Sequence, residues 1–361
     1  MSPRTRFTTR EVVMRLVSSR ELAAIPIAII IAFVIGGVLM AVSGVNPLEA
    51  YSALFSGAFG SPQHIADTLI EATPLVLIGV GIALCFRAGV FNVGAEGQLL
   101  IGGMAAAVVG SALSTAPQPV TLLAMAIAAI VAGAAWAGIA AVLKIFLSAS
   151  ETLTTIMLTY VATYLVSWLL NGPAKDPNTP LAQTPALTVS GLLPGLWPGT
   201  TLHIGIILAI IVAILAHLFL RTRVAGFQLV ATGLSPVAAR SAGLPVRRIL
   251  ISVFLASGGL AGLAGFVQVA GVQGKMIVNL SPGFGYTAIV VALLGRSTPI
   301  GALLAGLFFG ALSAGGASME TKVGVPASLV TIVQYLTVLL VIGYSAALTL
   351  RKPTRTAVEE E

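Results

Sequence analysis

The sequence predicts an all-α membrane protein that crosses the bilayer about ten times. Three observations carry that prediction. Charges are missing over long distances: 47 residues lie between Glu96 and Lys144 and 44 between Asp176 and Arg221, with no Asp, Glu, Lys or Arg in either stretch. A hydrocarbon core of roughly 30 Å needs only about 20 apolar helical residues, so each stretch can hold two crossings and an uncharged turn. Hydrophobic residues make up 57% of the 361 residues and charged ones 9%, whereas a soluble domain carries about 25% charged residues. Finally, the apolar runs are too long and continuous for the alternating segments, about ten residues each, that mark membrane barrels.

In order, the spans fall at 22–42, 66–86, 97–114, 121–143, 152–170, 203–220, 249–269, 284–296 (short), 299–317 and 326–350. Five arginines, Arg4, Arg6, Arg10, Arg15 and Arg20, precede the first. No small-residue cleavage signature follows it, so it reads as a retained helix rather than a removed signal peptide. The second holds the single cysteine, Cys85, expected to be buried and inert. An even number of spans puts both termini on one side. That side then receives 16 of the 19 basic residues and the other only Lys175, Lys275 and Lys322. The positive-inside rule makes the richer side cytoplasmic. The expected organisation is a basic cytoplasmic segment 1–21, a transmembrane domain 22–350 and a cytoplasmic tail 351–361, with no room for a separate soluble domain. The formal net charge of +7 reads as a topology signal, not as a nucleic-acid footprint.

Three connections stand out. Residues 43–65 hold Asn46-Pro47 and then LEAYSALFSGAFG, a short amphipathic helix at the interface. Residues 171–202 hold six prolines and Trp197 on the outer side. Proline at that density opposes a helix, and the segment is either an ordered cap or a mobile loop. The inner stretch 221–248 contains a well-marked short helix. Ser235 suits its N-cap, Pro236 its first position and Gly243 its C-terminal cap. It is either an ordinary loop or a docking element for a cytoplasmic partner, with the small Ala238, Ala239 and Ala242 permitting close approach and Arg240 meeting an acidic rim.

Residues 86–98, FRAGVFNVGAEGQ, form a glycine-rich break in which Asn92, Glu96 and Gln98 are candidates to line or support a translocation path. A charge beside apolar spans is costly unless paired or near water, and irregular backbone at membrane depth must be buried in protein or line a cavity. The alternative is a tight turn in which Arg87 pairs with Glu96. GRSTPIG, residues 295–301, is a weaker echo of this break, either an internal repeat or coincidence. Small-xxx-small pairs such as Gly258–Gly262 and Gly306–Gly310 predict close helix packing.

Enzyme signatures are lacking. The sequence holds no G-x-x-x-x-G-K-[ST], H-E-x-x-H or C-x-x-C. His64, His203 and His217 are scattered without metal-ligand spacing, so neither catalytic nor metal residues are expected. A secondary transporter using Glu71, Glu96 or Glu151 as proton or sodium sites is the competing class, but it has no need of a capped inner helix.

Four ordered blocks carry a family likeness: FRAGVFNVGAEGQLLIGG (86–103), SETLTTIMLTYVATYL (150–165), GFQLVATGLSPVAARSAGL (226–244) and GYTAIVVALLGRSTPIGALLAGLFFGAL (285–312). Together they resemble the permease subunits of bacterial ABC importers for nucleosides, within the branched-chain amino acid and ribose permease group, over about residues 20–350. The wording NVGAEGQ resembles the nucleoside type in particular, and the chain looks like the larger of two sister permeases. Thr159 departs from the family, which commonly has Asn there. The resemblance implies a multi-pass protein of the bacterial inner membrane. Its implied partners are a second permease subunit (a sister or a second copy), two cytoplasmic ATPase subunits that use the ATP, and an extracytoplasmic substrate-binding protein. It implies no cofactor on this chain, and the helix from Ser235 to Gly243 as the ATPase coupling element.

Overall fold

The computed structural model describes residues 19–340, apart from 327, 333–334 and 337–338. Most of the expected span at 326–350, all of the tail 351–361 and the first 18 residues lie outside that range. The described residues form helices α1 (Ser19–Val42), α2 (Pro47–Phe59), α3 (Pro62–Arg87), α4 (Ala95–Ala112), α5 (Gln118–Leu147) and α6 (Glu151–Asn171). They continue with α7 (Gly205–Thr222), α8 (Val224–Leu234), α9 (Pro236–Ser241), α10 (Val246–Val267), α11 (Phe284–Leu294) and α12 (Pro299–Val323). Seven of these, α3 to α7, α10 and α12, are long and apolar enough to cross a membrane. α11 has 11 residues, about 16 Å of helix, and cannot span alone. The short helix expected in LEAYSALFSGAFG is present as α2, but α8 was not anticipated within 221–248.

Two compact units divide the chain: Met1–Ser52 with Met319–Glu361, and Ala53–Ser318. In the first, the Tyr51 hydroxyl donates to the Phe33 carbonyl, and the two rings sit 5.3 Å apart.

In the second, small residues set the packing. A Cβ on Gly258 would strike the Gly133 carbonyl oxygen at 2.5 Å, and one on Gly265 would lie 2.6 Å from the Gly103 nitrogen. α10 therefore lies backbone to backbone against both α4 and α5. Gly306 and Gly310 bring α12 equally close to Val76 and Ala72 of α3. Lipid tails are as apolar as leucine, so close van der Waals approach, not hydrophobic exclusion, drives this association. Both glycine pairs singled out in the sequence act as expected. Cys85 is buried in a cluster with Leu84, Ala88, Val90, Leu229 and Phe254. Pro74 sits inside α3, tolerated because neighbouring helices enclose it.

The Pro-rich segment 171–202 is ordered. Its backbone is tied to residues 270–277: Leu193 N–H donates to Ala270 O at 2.8 Å, Leu187 to Gly274 O at 2.7 Å and Thr184 to Met276 O at 3.0 Å. Proline removes donors, so the cap meets its partners at scattered points rather than along a ladder. His203 closes it: the imidazole lies between Gly205 and Gly271, and its Nδ1 accepts the Gly205 N–H at 3.1 Å.

Candidate functional site

The chain leaves helical geometry after Arg87 and regains it at Ala95. Gly89 makes the exit possible with φ +75°, a conformation that costs glycine little. The break then turns its polar side chains inward. Asn92 Nδ2 donates to Gln98 Oε1 at 2.9 Å and to Ser257 Oγ at 3.0 Å. Gln98 Nε2 donates back to Asn92 Oδ1 at 3.0 Å, and the same oxygen accepts the Gly94 N–H at 3.2 Å. Both amides are almost fully buried, and this reciprocal pairing satisfies them.

Glu96 is also buried, and among the described residues no cation forms an ion pair with it. Its Oε2 accepts the Gly285 N–H at 2.7 Å, and the Ser281 hydroxyl and Gly283 amide bond to the same carboxylate. These donors stand at the start of α11, where a helix leaves N–H groups without intrahelical partners. An anion there is favoured by the helix dipole. Glu96, itself in the first turn of α4, therefore caps a second helix from outside. Arg87 does not pair with it: Arg87 Nε donates to the Ser297 carbonyl at 2.8 Å.

Depth follows from counting. Arg87 ends the long apolar helix α3 and Ser297 follows α11, so their bond lies at the end of the apolar bundle. The Glu96–Gly285 contact lies one α11 length deeper, roughly 15 Å, near the middle of a core of roughly 30 Å. Ser257 stands 11 residues into α10, which gives roughly the same depth. The structure joins Asn92 directly to Gln98 and turns Glu96 to the start of α11; the partners Ser257, Ser281 and Gly285 were not anticipated. A lone Ser beside Gly258-Gly259 in an apolar span needs a partner, and that was the available signal. Thr159, the family departure, is buried against Gly97 and bonds its own Thr155 carbonyl at 3.1 Å.

The turn 295–298 is not built like the first break. Arg296 and Ser297 are left-handed, with φ 54° and 52°, and the break is shorter.

The loop 223–245 sits directly on the first break. Gly233 of α8 faces Arg87, Ala88 and Gly89 with no room for a side chain. From there Ser235 caps α9, its hydroxyl accepting the Ala238 N–H at 3.2 Å. At the other end Gly243, at φ +80°, and Leu244 donate to Arg240 O and Ala239 O, both at 3.0 Å. That pair of bonds is the Schellman stop. Pro236, Ala238, Arg240, Ala242 and Gly243 are exposed. Ala239 is buried, so it faces the chain and is not part of the accessible face. Leu234 and Val237 are 83% and 74% exposed. Lys144 and Glu151 form an ion pair at 2.5 Å between α5 and α6, and Glu71 accepts from Ser313 Oγ at 3.1 Å. Among the described residues no three His, Cys, Asp or Glu side chains cluster as a metal site would require.

Seven helices long and apolar enough to span among the described residues, a helix broken around a buried polar cluster and a short capped helix beyond their ends mark a multi-pass membrane protein. Residues 64–342 match the family described as the branched-chain amino acid transport system / permease component. The chain belongs to that family, as a permease subunit of an ABC transporter. It is 37% identical to the glucose ABC transporter permease protein of Haloferax volcanii over 88% of this chain and 86% of the relative. Identity to the guanosine ABC transporter permease protein of Bacillus subtilis is 35%, over 87% of this chain and 91% of the relative. The nucleoside ABC transporter permease protein of Lactococcus lactis subsp. cremoris is 31% identical, over 85% and 86%.

Proposed function

We propose that this chain forms half of the solute path of an importer in the bacterial cytoplasmic membrane, and that the solute is a nucleoside or a related small polar molecule. A second permease subunit completes the path. Two cytoplasmic ATPase subunits consume the ATP, and an extracytoplasmic binding protein delivers the solute. Both termini lie on the cytoplasmic side. The observation that carries the reading is the outward face of α9. A two-turn helix capped at both ends, with Val237 exposed on it and Leu234 exposed just before its N-cap, fits a groove on another protein, since a helix this short is marginal alone. Relatives named for guanosine and nucleoside transport favour the solute class. Movement of α9 bears on Gly233 and hence on the break at 88–94, giving an ATPase a mechanical hold on mid-depth structure. Asn92, Glu96 and Gln98 support the path by bracing α4 and the start of α11, biasing the two states between which such a transporter moves.

The test is reconstitution of this chain with its sister permease, ATPase and binding protein in vesicles, followed by uptake of labelled guanosine and glucose. ATP-dependent uptake of one of them is expected. Uptake driven by an imposed proton or sodium gradient without the ATPase would overturn the importer reading.

A further inference from the structure

We propose that Tyr160 and Tyr286 provide an aromatic contact for the base of a nucleoside at mid-depth, one ring from each side of the Glu96–Gly97 helix start. The proposal rests on the importer reading above and adds the side chains that meet the solute.

Backbone packing places both tyrosines. A Cβ on Gly97 would lie 2.8 Å from the Thr159 Cα, so the next residue, Tyr160, flanks the start of α4. A Cβ on Gly285 would lie 2.6 Å from the Glu96 Cα, so Tyr286 flanks the same point from α11. Glu96 and Tyr160 are both within electrostatic reach of the Tyr286 hydroxyl. Tyr160 stands nine residues into α6 from Glu151 and Tyr286 eight residues from the far end of α11 at Leu294, so both are roughly 12–14 Å from those helix ends.

Exposure alone does not single them out, since Met157, Val161 and Tyr164 of α6 are open as well; their placement beside the Glu96 helix start does. Tyr160 is 55% and Tyr286 39% exposed, and neither hydroxyl makes a hydrogen bond to another described residue. Tyrosine belongs at the edges of the bilayer, where its hydroxyl meets water. An unpaired hydroxyl facing lipid at mid-depth is costly, whereas one facing a hydrated path is not. The polar groups nearby are already committed: Asn92 and Gln98 to each other, and Glu96 to the start of α11. A hexose needs several free, convergent hydrogen-bonding groups. The surface offered here is two phenol rings, which suits the planar face of a base.

The experiment uses the complete importer in vesicles with labelled guanosine. Tyr160→Ala and Tyr286→Ala should each lower maximal uptake about ten-fold, the scale of one base–aromatic stack. Tyr→Phe at either position keeps the ring and should restore uptake. In parallel, Tyr160→Cys and Tyr286→Cys should react with a water-soluble thiol reagent in the membrane-embedded complex, and guanosine should slow the reaction. Cys85 is buried and adds no background. Wild-type uptake in both alanine variants, or cysteines inert to the reagent, would overturn the proposal while leaving the importer reading intact. Glucose uptake that depends on these rings would overturn the nucleoside assignment. Wild-type vesicles that take up neither solute with ATP would overturn the importer reading, and the tyrosine contact with it.

Discussion

The break at 88–94 and the loop at 223–245 depart from membrane hydropathy in opposite directions. The break carries Asn92 and leads to Glu96 and Gln98, polar groups that are buried at mid-depth and hydrogen-bonded inside the chain. The loop carries Val224, Phe227, Leu234 and Val237, apolar groups that the chain leaves exposed. A polar group that is buried and satisfied has finished its work in this chain and braces the fold. An exposed apolar side chain on a capped helix has contact surface left over for another body. The two regions touch at Gly233 and Gly89, so the finished one sits where the unfinished one can act on it.

The sharpest way to break this contrast is Glu96→Ala. It strips the acceptor from the buried start of α11, and a charge-assisted bond left unmade there should cost about 3 kcal/mol. The expected result is a marked fall in the thermal midpoint of the purified protein, with Glu96→Gln less severe and transport reduced in both. An unchanged midpoint in Glu96→Ala would mean that α11 does not depend on this cap.

Val237→Asp should act in the opposite sense. Stability should hold, because the side chain touches little of this chain, while the ATPase is lost from the purified complex. A central interface residue is worth about 2 kcal/mol, so co-purification should drop more than ten-fold. Ala239→Trp is the less informative variant: it disturbs the loop's own packing as well as any partner. Normal ATPase retention in Val237→Asp would show that α9 docks elsewhere or not at all.

Ser235→Ala removes the N-cap bond to Ala238 and should weaken the loop by about 1 kcal/mol. Its readout is local: faster hydrogen exchange over 236–241, with exchange at 92–98 unchanged. Faster exchange in both segments would join the two regions into one cooperative unit.

The smallest effect belongs to Lys144→Ala. The Lys144–Glu151 pair is partly exposed, and such pairs contribute about 1 kcal/mol or less. A loss comparable to that in Glu96→Ala would show that the α5–α6 turn, not the break, anchors this end of the bundle.

Much of this contrast was legible in the sequence. The absence of charge over 97–143 marks helices, because little else can span so long an apolar run, whereas the equally uncharged 177–220 yields one long helix, α7, after its Pro-rich part. The capping residues Ser235, Pro236 and Gly243 announced α9, because each has a specific backbone task that few other residues perform. The glycine pairs announced close packing. Other features were not legible. α8 was hidden because an 11-residue apolar helix beside basic residues looks like loop when only long spans and polar inserts are sought. Ala239 looked equivalent to Ala238 and Ala242, and only the rotation of a two-turn helix separates them. The Pro-rich segment was undecided between cap and mobile loop, since its order comes from backbone bonds to residues some 80 positions away, at 270–277.

By itself, then, the sequence determined the lipid solvent, the helical class, the short capped helix and the glycine-rich break that carries Asn92 and leads to Glu96 and Gln98. These follow from local rules: apolar length, cap chemistry and the cost of isolated charge in lipid. Only the tertiary structure decided what Glu96 does. Its partners, Gly285 and Ser281, lie nearly 190 residues further along the chain, and no local pattern marks them. A buried carboxylate can be a substrate ligand, an ion site, half of an ion pair or a cap. The choice among these depends on which donors the fold delivers to it, and here they are the free N–H groups at the start of a helix too short to span the membrane.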